Sequence, residues 1–353
     1  MAEVWRLLDT GLRPAAENIA LNRALLEARA AGEVGNTLRF LRFTPSALVG
    51  FHQNPEQELD LDYCRRQNIA VQRRLTGGGA IYFDVSQLGW ELYCDRRDFS
   101  AGDLAAIARV ICEAAARGIS RLGVAARFRP RNDIEVAGRK ISGTGGVFEG
   151  DALLYQGTLL IDVDAERLVR VLRLPVEKLA DKAIASVRER VVSLAELLGG
   201  APPLAEVQAA LIQSFSEAFG VRFAEGRLTA AEQTRFASAL AEIDDEAWIY
   251  GLKGCGEVPR VEAVRKFPGG LVRVGLAYDR LRDRVVQIQF TGDFFVSPRR
   301  AIFDLEARLR DVKGEVLADA VQAFLAGEGV DLAGLAPADF AEVALEALRR
   351  ART

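Results

Sequence analysis

The sequence predicts an α+β protein with a large amino-terminal domain and a small carboxy-terminal one, and three observations carry that prediction. Short apolar runs with strand alternation, such as Leu88, Trp90, Leu92 and Cys94, are interleaved with helical stripes such as Leu104, Ile107, Ala108, Ile111 and Ala115. Periodicity is then lost in the glycine-rich run Gly251-Leu252-Lys253-Gly254-Cys255-Gly256-Glu257-Val258-Pro259, which has the composition of a linker. Beyond it a second strand pattern is followed by helices. The expected domains are therefore 1–247 and 261–353, joined by 248–260.

Taken in order, Trp5 to Leu8 opens as a short strand, and Ala15 to Ala30 reads as a helix behind Pro14, with Leu21, Leu25 and Ala28 at helical spacing. Leu38 to Phe43 and Ala47 to Gln53 are strands, the second carrying His52 near its end. Leu59 to Gln67 is a short helix and Ile69 to Arg73 a strand. The alternation over Leu88 to Cys94 marks a half-buried strand and assigns Cys94 to the core. Cys112 lies at the edge of a helical stripe ending near Gly118 and is structural too. Val124 to Arg129 extends toward Pro130, and Ala152 to Ile161 is apolar enough for the middle of a sheet. Ala165 to Leu172 is helical, Lys178 to Ala185 is an irregular polar connection of the kind used as lids or binding loops, and Val187 to Leu198 is a helix. Another helix, over Leu204 to Phe215, closes at Gly220. In the second domain Val272, Val274, Leu276 and Tyr278 alternate, residues 279–283 turn, and Val286, Ile288 and Phe290 alternate again, which is a hairpin. Ser297-Pro298 starts a helix with Ile302, Leu305 and Leu309 inward, and helices over Val316 to Leu325 and Pro337 to Arg350 finish the chain.

At 353 residues, half of them apolar, the chain can bury a core of ordinary size. A net charge of −3 argues against a nucleic-acid partner, which would call for a strongly basic domain or stripe. The four cysteines are scattered without a Cys-x-x-Cys pair, so neither a zinc site nor a disulfide framework is indicated and a reducing cytosol is. The start Met-Ala-Glu-Val-Trp-Arg lacks the features of a secretion signal, and no run of about 18 apolar residues occurs, so the expectation is a cytoplasmic protein with no membrane partner. The single histidine, His52, rules out a His-Glu-x-x-His metal site, and the Gly-x-x-x-x-Gly-Lys phosphate loop is absent.

Two stretches carry chemistry. In Arg73-Arg74-Leu75-Thr76-Gly77-Gly78-Gly79-Ala80, three glycines stand where packing gains nothing from them. A need for bare backbone explains them: N–H groups that receive an anion at close range, flanked by guanidinium forks. The plain alternative is a tight turn between strands. In Arg131-Asn132-Asp133-Ile134-Glu135-Val136-Ala137-Gly138-Arg139-Lys140-Ile141-Ser142-Gly143-Thr144-Gly145-Gly146, a strand, a turn at Ala137-Gly138 and a second strand bring Lys140 back toward the acidic residues.

Together these stretches resemble the lipoate-protein ligase A family, a branch of the biotin/lipoate ligase superfamily, and Lys178-Leu179-Ala180-Asp181-Lys182 with Ser186-Val187-Arg188-Glu189-Arg190-Val191 agrees in the family's order. The resemblance covers roughly residues 5 to 200. It implies a catalytic domain built on a mixed β-sheet flanked by helices, with a small α+β accessory domain behind it, the latter signalled by Gly292-Asp293-Phe294-Phe295. It implies lipoate and ATP as substrates, magnesium as the metal, and a lipoyl-type carrier domain as the protein acceptor. By the same resemblance Lys140 is catalytic; Arg73, Arg74, Gly77, Gly78, Gly79, His52, Ser142, Gly143 and Thr144 bind the acyl group or its adenylate; and Asn132, Asp133, Lys182 and Ser186 bind ATP. Three departures bear on acyl specificity and on the acceptor: Phe83-Asp84 stands in place of His-Asp, Tyr155-Gln156-Gly157 lacks a histidine before the glycine, and Gly145-Gly146 replaces a serine and an alanine.

These residues suit the chemistry, because joining a carboxylate to a phosphate brings two anions together. Fixed cations and amides supply the stabilisation without reorganising. Asp133 with Asn132 could hold magnesium; an Asx turn or an ion pair with Lys140 is the alternative. His52 lines the acyl pocket or is a satisfied strand-end histidine. Two further readings stay open. One is a cofactor-independent octanoyl or lipoyl transferase with a cysteine nucleophile, for which Cys255 is the candidate; the other is a non-catalytic carrier-binding protein. A biotin ligase is disfavoured by the arginine-flanked triple glycine and the Gly-Arg-Lys-Ile-Ser-Gly run.

Overall fold

A computed structural model of the chain describes residues 2–99, 104–130, 132–173, 185, 187–251 and 261–353. It divides into two compact units, one comprising Met1–Val49, Pro55–Leu75 and Ala80–Ile249, the other Gly50–Asn54, Thr76–Gly79 and Tyr250–Thr353.

In the first unit the strands are β1 (Val4–Arg13), β2 (Thr37–Phe43), β3 (Ser46–Val49), β4 (Ala70–Arg73), β5 (Ile81–Phe83), β6 (Gln87–Asp95), β7 (Ala126–Arg129), β8 (Asp133–Val136), β9 (Arg139–Glu149), β10 (Ala152–Leu160) and β11 (Arg222–Glu225). Eight of them form one mixed sheet in the order β11-β1-β2-β6-β10-β9-β8-β7, parallel at the β11-β1-β2 end and antiparallel onward. A small sheet, β4-β3-β5, stands beside it. Helices Leu104–Ser120 and Leu204–Phe219 bury the apolar residues of one face of the main sheet, and helices Ala15–Ala30 and Ala230–Ile243 cover the other. The second unit contains β12 (Val261–Phe267), β13 (Gly270–Asp279) and β14 (Arg284–Asp293) as an antiparallel sheet, a two-residue pairing of β15 (Val296–Ser297) with β16 (Asp331–Leu332), and a core shared with helices Ala301–Arg308, Leu317–Leu325 and Pro337–Arg352. This is the α+β class read from the sequence.

The departures are instructive. The strand over Leu88 to Cys94 is buried along its whole length, not half-buried, because helices pack on both faces of its sheet. The strand carrying His52 ends at Val49, so the histidine lies beyond it. The helix expected over Val187 to Leu198 is interrupted: Val192 N–H donates to the Lys140 carbonyl, and a new helix, Leu194–Leu198, starts at Ser193, whose hydroxyl accepts from Glu196 N–H. In β14 the inward residue is Val285, since a bulge between Ala277 and Tyr278 turns Val286 outward. Ser297-Pro298 precedes its helix, which begins at Ala301. The helix Ala230–Ile243, unforeseen, is started by a capping box between Thr229 and Glu232.

Candidate active site

The second motif folds as the predicted hairpin. Ala137 (φ 50) and Gly138 (φ 81) are both left-handed, the geometry of a two-residue turn matched to strand twist, and Val136 pairs with Arg139 across it. One residue later the register slips: Glu135 pairs with Lys140 but Ile134 pairs with Ser142, leaving Ile141 as the extra residue of a bulge. Alternation would put residues three apart on opposite faces. The bulge instead places Lys140 on the face of Gly143, where the row Arg129, Asp133, Gly143, Thr158 runs across four strands.

Charges alternate along this face. Lys140 Nζ stands 2.7 Å from Asp133 Oδ1, Arg129 holds Asp133 Oδ2 at 2.5 Å, and Arg127 holds Glu135 at 2.7 Å. Burial pushes the Asp133 carboxyl up, but attraction and hydrogen bonds from Lys140 and Arg129 outweigh it and hold the group below the usual carboxylate range. Lys140, Gly143, Gln156 and Thr158 are all half-buried, so the face stays accessible. It is a strip of fixed charge over glycine backbone, an arrangement able to receive an anionic ligand.

The other face of β9 is closed. Ser142 and Thr144, read from the sequence as sharing a site with Lys140, point there because the extra residue Ile141 shifts the alternation and leaves them on the face opposite Lys140 and Gly143. Thr144 Oγ1 lies 2.7 Å from the Tyr155 hydroxyl and 3.3 Å from Cys112 Sγ. The Ser142 hydroxyl is buried without a hydrogen-bond partner among the described residues. Asn132 Nδ2 donates to the Thr144 carbonyl and Thr144 N–H donates to the Asn132 carbonyl, tying the start of β8 to β9.

Arg73 and Arg74 are buried. Arg73 donates to the carbonyls of Trp248 (2.9 Å) and Ile249 (2.7 Å), burial lowering its pKa to about 10, and Arg74 donates to the Leu48 carbonyl at 3.0 Å. The triple glycine does meet a need for bare backbone: in the second unit Gly78 N–H donates to the Phe294 carbonyl at 3.2 Å, and a Cβ on Gly77 would collide with that same oxygen. His52 belongs to this group, its ring stacked on Phe294 and its carbonyl accepting from Gly292 N–H. Lys182, Ser186 and Cys255 lie outside the described residues. Arg127, Arg129, Glu135 and Thr158 were not singled out from the sequence, although alternating Arg-x-Arg and Asp-x-Glu on either side of a turn is a readable sign of a cross-strand charge ladder.

Residues 14–216 match the lipoyl protein ligase A/B catalytic domain family. The chain belongs to this family. It is 30% identical over 271 residues to the octanoyltransferase LipM of Kyrpidia tusciae, covering 70% of this chain and 99% of that one. Among solved structures it matches the bipartite lipoate protein ligase of Thermoplasma acidophilum, studied with its E2 lipoyl domain, at 29% identity and a TM-score of 0.65 over 73% of this chain and all of that one (100%). It also matches a lipoate-protein ligase A bound with ATP, at 28% identity and a TM-score of 0.62 over 71% and 99% of the two chains. The chain is thus an enzyme of the lipoate ligase and octanoyltransferase family. No helix among its described residues is long and apolar enough to cross a membrane.

Proposed function

We propose that this chain activates lipoate with ATP and transfers the lipoyl group to a lysine of a lipoyl-type carrier domain. The observation that carries the reading is the Lys140 ammonium, held on an accessible, glycine-floored face by Asp133. In the first step a lipoate carboxylate oxygen attacks the α-phosphorus of ATP, pyrophosphate leaves, and Lys140 offsets the charge that develops. In the second the carrier lysine's neutral ε-amine attacks the acyl carbonyl, AMP leaves, and the nitrogen loses a proton to solvent. Asn132, Asp133, Lys182 and Ser186 are proposed to bind the nucleotide, and Arg73, Arg74, His52 and the triple-glycine stretch to serve the acyl side. The scattered cysteines favour the cytoplasm as the place of reaction.

Magnesium finds only a partial fit. Both Asp133 oxygens are committed to cations, and no cluster of three or more candidate ligands forms among the described residues. A bound ion would take most of its ligands from phosphate and water, and no step is drawn through it.

The similarity to octanoyltransferase LipM favours a second reading, transfer without ATP through a cysteine. Cys64, Cys94 and Cys112 suit that role poorly, since all are buried and burial raises each thiol, Cys64 and Cys112 to about 11. Cys255 is left as the candidate. Mass spectrometry of a carrier domain after incubation with lipoate decides between the readings. We expect a lysine adduct that requires ATP, is lost in Lys140→Ala and survives in Cys255→Ser. An adduct formed from octanoyl carrier without ATP, and lost in Cys255→Ser, would establish the transferase.

A further inference from the structure

We infer that Gly143 is the seat of the Lys140 ammonium and so a positioning residue of the reaction; the inference rests on the adenylation reading above. A Cβ built on Gly143 would stand 2.7 Å from Lys140 Nζ and 2.8 Å from Cε, with Thr158 Oγ1 next at 3.9 Å. The lysine therefore lies across the bare α-carbon on its way to Asp133, the cross-strand partner of Gly143.

Backbone conformation does not demand glycine here, because Gly143 lies outside the left-handed region that glycine favours. The demand comes from the lysine. Ile141 is the extra residue that brings Lys140 onto this face, and with any side chain at position 143 the bulge would deliver the lysine stem into a methyl group. The atoms in the way are the far end of a flexible side chain, so an added methyl would be relieved by swinging the ammonium aside, with the strand left in place. Stability would change little, while the charge would leave the strip where it is needed.

The test compares wild type, Gly143→Ala, Lys140→Ala and the double variant in three measurements. Thermal midpoints report the fold. The rate at which acetic anhydride labels Lys140, read by mass spectrometry without substrate, reports the freedom of the ammonium. Calorimetry with a non-hydrolysable sulfamoyl analogue of lipoyl adenylate reports the ligand contact. We expect Gly143→Ala to keep its midpoint within a few degrees and to label several-fold faster. Its affinity for the analogue should fall about 10- to 100-fold, the range for a lost charged hydrogen bond, with no further loss when added to Lys140→Ala. Wild-type labelling and affinity in Gly143→Ala would overturn the inference. An undiminished loss in the Lys140→Ala background would also overturn it, by showing that the glycine serves the fold or meets the ligand itself. Should the wild type fail to bind the analogue while Gly143→Ala still frees the lysine, the seat stands and the ligase reading falls.

Discussion

The two faces of β9 are made by one strand and do opposite things. On the face turned to helix Leu104–Ser120, Thr144 is locked with Tyr155 and Cys112 in a buried cluster, where side chains fill space and satisfy one another. On the other face Gly143 offers no side chain, and Lys140, Asp133 and Thr158 remain half-buried around it. The closed face works by what is present, the open one by what is missing. A methyl group added to either should therefore be felt differently: in stability on one side, in chemistry on the other.

Lys140→Ala should show the largest effect. We expect lipoate-dependent ATP/pyrophosphate exchange to fall by about 10²- to 10³-fold, the cost of one lost contact to developing charge, with the denaturation midpoint nearly unchanged. An unaltered rate would remove the open face from catalysis. Gly157→Ala should do the reverse. Its Cβ would run into the Trp90 ring on the closed face, so urea denaturation should register a loss of about 1–3 kcal/mol, while exchange per folded molecule holds. Tyr155→Phe removes a hydroxyl that lies 2.7 Å from Thr144 Oγ1 and 3.2 Å from Cys112 Sγ. The same denaturation experiment should show a loss of about 0.5–1.5 kcal/mol.

The smallest signal is the absence of a reaction. Burial pushes the Cys112 thiol up to about 11, so its reactive thiolate stays scarce until the pH nears that value. Iodoacetamide at pH 8 should leave Cys64, Cys94 and Cys112 unlabelled in the native protein and label all three after denaturation, as counted by mass spectrometry. Rapid native labelling of Cys112 would mean that the closed face opens.

Legibility followed the range of the interaction. The Ala137-Gly138 turn and the return of Lys140 toward Asp133 could be read directly, because a two-residue turn with left-handed geometry leaves a local mark in sequence. The bulge at Ile141 could not, since register belongs to a pair of strands. Arg73 was recognisable as a cation but not as the donor to Trp248 and Ile249, carbonyls distant in sequence that arrive only when the chain folds. The two-sided burial of β6 was equally hidden, because alternation reports one apolar face and cannot say that a second layer of helices covers the other.

By itself the sequence determined the α+β class, the positions of most helices and strands, the hairpin that carries Lys140 and Asp133, and the family those motifs resemble, all of which rest on local periodicity or on neighbouring residues. Only the tertiary structure decided which face each of those residues occupies: Gly143 with Lys140, Ser142 and Thr144 away from them. The reason is that a strand's side chains take their direction from register, and a single unpaired residue, set by contacts across strands, exchanges the two faces from that point on.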